Sequence, residues 1–165
     1  MRRRARHARK LRAVAKRHGF RPSLKLCYRI VAAAEDTNTP IYRLGALVEK
    51  ESGFKFIFGH DAGGWFPGER VTRRRYRQLR DHLRSSWSGA NGVGYVQATY
   101  PPFIVGDPAL WRPKHNLRFG AKLLESLINE HGLEPGMNSY NGDPSGAYGR
   151  DLLRRSQEYA KALRG

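Results

Sequence analysis

The stretch "LGALVEKESGF", residues 44–54, decides the fold. It contains apolar residues at helical spacing, two glutamates, and a glycine that is expected to end the helix. At about 100° per residue, Leu44 and Val48 share one face of a helix. Glu51 follows at the same spacing and lies in the middle of that apolar face, whereas Glu49 lies on the opposite side. The pattern therefore predicts an inward Glu51 and a surface Glu49.

An inward carboxyl near the end of a helix suits general acid catalysis. Apolar neighbours raise the pKa of a carboxyl, and the negative partial charge of a helix C-terminus acts in the same direction. A carboxyl that stays protonated near neutral pH can donate its proton to a leaving oxygen. The alternative is a structural Glu51 that pairs with an arginine or caps a loop. Periodicity alone leaves both interpretations open.

The charge of the chain is unevenly distributed. The 165 residues carry a net charge of +17, and the segment 1–25 contains eleven Lys and Arg residues but no acid. We predict a basic arm at residues 1–21, helical or disordered, which no strong apolar stripe fixes to a domain at residues 22–165. Such an arm favours polyanions: nucleic acid, anionic lipid head groups or anionic cell-wall polymers. The alternative is a merely solubilising tail.

The remaining composition excludes several classes of protein. A membrane-spanning helix needs about 18 consecutive apolar residues, and the sequence contains no run of that length. The basic N-terminus is not followed by the apolar segment that a secretory signal peptide would have. The single cysteine, Cys27, lies among apolar residues and is expected in the core. No zinc-ligand spacing, phosphate-binding loop or dinucleotide fingerprint occurs. We therefore expect no metal and no cofactor.

Helical periodicity dominates the chain. Capping residues and apolar stripes predict helices at residues 23–36, 40–52, 73–84, 114–131 and 150–165, with Ser23 and Thr72 as N-caps. Residues 55–71 are rich in glycine and aromatic residues, and we expect a short hairpin or an irregular lobe there. The predicted class is mainly α.

Four motifs occur in one order: "ALVEKESGF" (46–54), "GVGYVQAT" (92–99), "HNLRFGAKLL" (115–124) and "NSYNG" (138–142). Together they resemble the lysozyme-like superfamily, in particular the branch of soluble lytic transglycosylases and goose-type lysozymes. The chain looks most similar to the glycosidase modules of cell-wall lysins from phages of Actinobacteria. The resemblance covers about residues 22–160 and implies an α+β lysozyme-like fold.

The resemblance assigns the catalytic acid to Glu51. It also implies five substrate-binding positions: Ser52, Tyr95, Gln97, Tyr140 and Asn141. Gln97 would line the sugar groove, and Tyr95, where the family has mainly apolar residues, could stack on a sugar ring. Tyr140 would hold its hydroxyl near the acid, unless it is a core tyrosine, and Asn141 would contact an N-acetyl group. Asn116 is interpreted as structural.

A hydrolase of this kind needs a second carboxylate, which activates water or acts as nucleophile. Asp61, on the loop that leaves the helix of Glu51, is the best candidate, and Glu69 is a poorer one. The adjacent His60 could orient a water molecule or belong to the polar surface. Asp61 could instead only form a turn. A lytic transglycosylase needs no second acid, because the 6-hydroxyl of the sugar closes a ring, and it stays the alternative to hydrolysis.

The sequence thus predicts a muramidase that cleaves the β-1,4 bond between N-acetylmuramic acid and N-acetylglucosamine. Its expected partners are peptidoglycan strands and, through the basic arm, anionic wall polymers or a membrane surface. We expect a monomer, made in the host cytoplasm without a signal peptide and acting at the bacterial cell wall. Two alternatives remain: a nucleic-acid-binding protein, and a lysozyme-like protein without activity that has a structural role.

Overall fold

The computed structural model describes residues 2–164. Most of this range is helical, which confirms the predicted mainly-α class. The helices are α1 (Arg2–Arg17), α2 (Leu24–Asp36), α3 (Ile41–Ser52), α4 (Arg73–Ser86), α5 (Pro101–Gly106), α6 (Pro113–His131), α7 (Leu133–Ser139) and α8 (Ala147–Arg164). A 3₁₀ turn, Gly94–Val96, precedes α5. No helix within residues 2–164 combines the length and the apolar character that crossing a bilayer requires.

The chain divides into two compact units. Unit 1 contains the described residues up to Lys50 and those from Arg118 onward, and unit 2 is Glu51–Leu117. Helix α1 therefore belongs to the same unit as α2, α7 and α8, and the boundary that we predicted after residue 21 is not a boundary between compact units.

Helix α1 is an integral part of unit 1. Ala8, Leu11, Val14 and Ala15 form a fully buried stripe along it, and the helix packs against α2 and α8. Burying a side chain such as Leu11 stabilises a fold by about 1.5–3 kcal/mol. The expectation that no apolar stripe holds residues 1–18 is therefore wrong. Alanines supply half of the stripe, so its hydrophobic signal in the sequence is weak.

Helix α3 is buried on both of its faces within unit 1. Leu44 and Val48 are fully buried, and so is Gly45 on the other side of the helix. A Cβ atom on Gly45 would lie 3.2 Å from Cδ1 of Leu11 and 3.6 Å from Cδ1 of Tyr159. Helices α1 and α8 therefore cover the face of α3 that the sequence pattern assigns to solvent.

Both predicted N-caps are confirmed. The Oγ of Ser23 accepts a hydrogen bond from the Leu26 N–H at 3.1 Å, and the Thr72 hydroxyl accepts one from the Arg75 N–H at 3.3 Å. Each bond satisfies a backbone donor that the first turn of a helix leaves unpaired. Cys27, on α2, is fully buried, and burial raises the pKa of its thiol to about 11. This confirms the expected core cysteine.

Unit 2 combines α4 and α5 with an irregular lobe. Isolated antiparallel bridges join Ile57 to Arg70, Phe58 to Val93, and Val93 to Ala98. Phe58 is fully buried at the centre of these bridges. The lobe therefore consists of loops that single bridges and side-chain hydrogen bonds hold together.

Candidate functional site

Glu49 is the buried glutamate of the pair. Its carboxylate is fully buried in unit 1 and accepts hydrogen bonds from Arg155 Nη1 at 2.5 Å and from the Tyr159 hydroxyl at 2.6 Å. Nδ1 of His18 lies 2.9 Å from Oε1 and 3.0 Å from Oε2. The prediction of a surface Glu49 is therefore wrong. A helical wheel cannot reveal that α1 and α8 cover this face and bring three hydrogen-bonding groups to it.

The partners of Glu49 belong to a larger network. Nε2 of His18 lies 2.8 Å from the Glu158 carboxylate, and Arg155 also donates from Nε to Asp151 at 2.9 Å. A carboxylate therefore lies at each ring nitrogen of His18. Burial, followed by the hydrogen bond to Glu49, raises the pKa of Tyr159 well above its usual range. Every hydrogen-bonding group around Glu49 is thus engaged, and its role is structural.

Asp151 anchors the exposed end of this network. It accepts hydrogen bonds from Lys50 at 2.7 Å, from Arg154 at 2.7 Å and from Arg155 at 2.9 Å. Burial would raise the pKa of Asp151, but these cationic donors outweigh it and hold that pKa well below its usual range. The carboxylate therefore stays charged and ties α3 to α8.

Glu51 has a different environment. It begins unit 2, in the last turn of α3, and it is half-buried. The carbonyl of Ser52 accepts a hydrogen bond from the Lys55 N–H at 3.1 Å, and Gly53 and Phe54 both have positive φ, 54° and 65°. Phenylalanine rarely adopts this conformation, so the chain bends sharply and at some cost directly after the glutamate.

Asp61 is fixed through one carboxylate oxygen. Its Oδ2 accepts a hydrogen bond from the Gly92 N–H at 2.7 Å, and its backbone carbonyl accepts one from the Gly64 N–H at 3.0 Å. Oδ1 has no hydrogen-bond partner within residues 2–164, and the residue is half-buried. Asp61 therefore closes a turn and also keeps one oxygen available to water or to a ligand.

The side chains of Gln97 and Asp61 both lie against Gly59 in unit 2, and Gln97 also lies against Gly92. A Cβ atom on Gly59 would lie 2.4 Å from Oε1 of Gln97 and 2.6 Å from Oδ2 of Asp61, and one on Gly92 would lie 2.3 Å from the same Gln97 oxygen. Nε2 of Gln97 donates to the carbonyls of Gly94 at 2.6 Å and Ile57 at 3.2 Å. The amide nitrogen of Gln97 thus stabilises the lobe. The side chains of Gln97 and Asp61, both predicted site residues, lie next to each other.

Tyr95 does not fit its predicted role. It is 8% exposed, and its ring packs against Phe56 with the ring centroids 4.8 Å apart. A sugar ring needs an open aromatic face, so the expectation that Tyr95 stacks on a sugar is wrong. Asn116 fixes the backbone at this position, since its Oδ1 accepts the Tyr95 N–H at 2.8 Å while its Nδ2 donates to the Val93 carbonyl at 2.9 Å. Asn116 is structural, as predicted.

Asn91 is a position that the sequence reasoning missed. Its side chain is fully buried, donates to the Gly59 carbonyl at 2.9 Å and accepts from the Phe66 N–H at 3.0 Å. It therefore joins the loop of Asp61 to the loop before the 3₁₀ turn. In the sequence it is one more asparagine in a glycine-rich stretch, where a turn is the ordinary interpretation.

The last two predicted positions belong to unit 1. Tyr140 is half-buried at the end of α7, and the exposed Asn141 donates from its backbone N–H to the Asn138 carbonyl at 3.2 Å. Asn138 in turn accepts the Gly149 N–H at 3.1 Å and so joins the turn after α7 to α8.

The structure describes no group of three or more His, Cys, Asp or Glu side chains within residues 2–164 that could hold a metal ion. Comparisons of the chain with models of protein families, with curated proteins and with solved structures found no match.

Proposed function

We propose that this protein is a peptidoglycan-degrading glycosidase with a lysozyme-like α+β fold. It cleaves the β-1,4 bond between N-acetylmuramic acid and N-acetylglucosamine, with Glu51 as the general acid. The observation that carries the proposal is the convergence of Asp61 and Gln97 over Gly59 in unit 2, which Glu51 begins. The sequence resemblance implies the catalytic acid for Glu51 and the sugar groove for Gln97, and Asp61 is the candidate second carboxylate.

The contrast between the two glutamates supports the choice of acid. Glu49 is fully buried, and Arg155, Tyr159 and His18 engage both of its oxygens. A substrate cannot reach it. Glu51 is half-buried at a helix end, so solvent and a substrate can approach it while part of its surface is desolvated. This is the setting in which a carboxyl acts as a general acid.

Asp61 supplies the second carboxylate of a hydrolase. Its Oδ2 is held by Gly92, which orients the group, and its Oδ1 can contact a water molecule or the developing sugar cation. Lytic transglycosylation of the same bond is the alternative, in which Asp61 only shapes the turn. Tyr140 and Asn141 belong to unit 1, and their assignment to substrate binding rests on the sequence resemblance alone.

The exposed charges of helix α1 favour an anionic partner. Its solvent side carries a row of exposed cations, which we call the basic face of α1: Arg2, Arg6, Arg9, Lys16 and Arg17. The apolar side is used for packing within unit 1, so the helix offers charge to a partner and no apolar surface to insert into a bilayer. This favours electrostatic attachment to anionic wall polymers or to a membrane surface. We propose that the protein acts at the bacterial cell wall, where this substrate lies, and that it acts as a monomer.

The same basic face favours one second candidate, a nucleic-acid-binding protein. Phosphate contacts by exposed Arg and Lys release counterions and give a binding constant that falls steeply with salt. This class would need neither Glu51 nor Asp61.

The decisive experiment is digestion of purified peptidoglycan by the wild type and by Glu51→Gln, with soluble fragments identified by mass spectrometry. Because a general acid contributes about 10²–10⁴ in rate, we expect Glu51→Gln to lose at least about a hundredfold in release of fragments. Glu130→Gln, at an exposed residue of α6, is the matched control and should behave as the wild type. An active Glu51→Gln variant would exclude the assigned acid. An inactive wild type that binds DNA would support the second candidate, and an inactive wild type that binds neither would favour a structural role.

A further inference from the structure

Unit 2 carries an exposed aromatic platform. The indole of Trp65 is 49% exposed, and one of its faces stacks on the imidazole of His82 with a centroid distance of 4.0 Å and an interplanar angle of 28°. A tryptophan that is half-exposed and covered on one face presents its other face to solvent.

The platform is held rigidly from below. Nε2 of His82, on α4, lies 2.9 Å from the Ser88 carbonyl and 3.0 Å from the Ser86 hydroxyl, which fixes the imidazole. Gly89 has a φ of 75°, and a Cβ atom there would lie 3.3 Å from Nε2 of His82 and 3.5 Å from Cδ1 of Trp65. Both the conformation and the space favour glycine at this position.

The residue after Trp65 anchors the platform to the lobe. The ring of Phe66 makes an edge-to-face contact with Trp65 at 6.2 Å, and its N–H donates to the buried Asn91 at 3.0 Å. A platform whose supports are already ordered loses little entropy when a ligand stacks on it.

A second exposed aromatic ring belongs to the turn that holds His82. Trp87 is 56% exposed and caps α4 with a φ of 54°, a left-handed conformation that is unusual for a bulky side chain. The strained backbone gains no burial of the indole, so packing does not account for this tryptophan. Strain of this kind, observed directly, points to a role in binding.

The two loop segments that contribute Trp65 and Trp87 favour an uncharged ligand. The chain has 31 Lys and Arg residues, yet neither segment 56–69 nor segment 85–111 contains one. Their charged residues are Asp61, Glu69 and Asp107. The arginines of α4 two residues before and after His82 are engaged, Arg80 by the carbonyls of Ile104 and Val105 and Arg84 by Asp81. A phosphate backbone needs cations beside the stacking side chains. A neutral ring with an apolar face, such as a pyranose, does not.

We propose that Trp65, supported by His82, is a carbohydrate-binding platform that stacks on an N-acetylhexosamine ring of the glycan. The inference rests on the proposed function, because it assigns a sugar subsite to the same unit. Trp65 lies on the loop that starts at Asp61, whose carbonyl accepts the Gly64 N–H directly before the tryptophan. The platform replaces Tyr95 as the aromatic residue that contacts sugar.

The test measures binding of the β-1,4-linked tetramer of N-acetylglucosamine by titration calorimetry. Glu51→Gln is the background, so that turnover does not consume the probe. Adding Trp65→Ala should weaken binding at least about tenfold, and Trp65→Phe should weaken it less, because a smaller ring keeps part of the stacking. Tyr100→Ala removes another exposed aromatic ring of unit 2 and should bind as the background does. Circular dichroism and thermal unfolding establish that each variant is folded.

The outcomes separate this inference from the proposed function. Unchanged affinity in a folded Trp65→Ala variant, or no binding by the parent protein, overturns the platform even if the wild type digests peptidoglycan. If binding depends on Trp65 but the wild type releases no fragments, the sugar-binding role of Trp65 is supported and the proposed glycosidase activity is excluded. If a single-stranded oligothymidylate binds in a Trp65-dependent way and the sugar does not, the platform serves nucleic acid and the inference is wrong.

Discussion

The hydroxyl of Tyr159 donates a 2.6 Å hydrogen bond to Oε2 of Glu49, and both side chains are fully buried. This bond joins α8 to α3 at the centre of unit 1. It explains why a glutamate that looks like surface in the sequence has become part of the core.

Removing that donor should destabilise the protein. Tyr159→Phe keeps the ring but removes one of the two groups that contact Oε2 of the buried carboxylate, Nδ1 of His18 being the other. A hydrogen bond to a charged group contributes about 1.5–3 kcal/mol to the free energy of unfolding. Urea denaturation measures the change. Tyr28→Phe removes a half-exposed hydroxyl from α2 and should change stability by less than about 0.5 kcal/mol. Equal effects of the two substitutions would contradict the structural role of Glu49.

Asp151 should make stability depend on pH. Because cationic partners lower its folded pKa, the unfolded chain binds the proton more tightly, and protonation favours unfolding. Its contribution is complete above the usual carboxyl pKa of about 4 and declines as the pH falls towards the lower folded pKa. Asp151→Asn should therefore destabilise the protein more at pH 7 than at pH 3, measured by urea denaturation at both. A difference independent of pH would exclude this ionised role.

The two roles of Asp61 can be separated by two substitutions. Asparagine keeps an oxygen that accepts the Gly92 N–H but removes the charge, whereas alanine removes both. If Asp61 assists hydrolysis, Asp61→Asn should lose about 10²–10⁴ in rate while keeping the stability of the wild type.

The products of the wild type identify the reaction directly. Mass spectrometry should find reducing muramic acid ends if water is the acceptor. Anhydro-muramyl ends, together with an active Asp61→Asn variant, would establish the transglycosylase alternative. Loss of activity only in Asp61→Ala, accompanied by loss of stability, would mean that the aspartate only forms the turn.

The packing of α1 determines how its charge can be tested. Deleting residues 1–18 would remove the buried Leu11 and Val14, and loss of one large core side chain alone costs about 2–5 kcal/mol. Replacing Arg6, Arg9 and Lys16 by glutamine changes only exposed positions of the basic face. This triple variant should keep its stability and bind peptidoglycan more weakly at low salt, with little difference at high salt.

The matched control for the basic face carries the same loss of charge elsewhere. Lys25, Lys122 and Lys161 are exposed, and none belongs to α1. Replacing these three by glutamine should weaken binding less than the α1 substitutions do. If both triple variants have the same salt dependence, net charge rather than the basic face of α1 attracts the wall.

Much of the local structure could be predicted because its causes are local. Ser23 and Thr72 each cap a helix within three residues, so their effect can be read from neighbouring letters. The apolar spacing of α3 and its glycine stop are equally local. Gln97 was singled out by a motif and Asp61 by its place on the loop after α3, and the structure brings them together over Gly59.

The sequence pattern failed where the environment of a residue depends on distant segments. Glu49 is buried because α1 and α8 cover the second face of α3, and periodicity shows the faces of a helix but not what packs on them. The ring of Tyr95 packs against Phe56, which lies about forty residues earlier in the chain, and Asn116 of α6 holds the Tyr95 N–H. The platform of Trp65 exists because His82 reaches it from α4. Helix ends and one apolar stripe follow from short-range hydrogen bonding and spacing, whereas burial, charge pairing and exposed faces follow from long-range packing that no single stretch encodes.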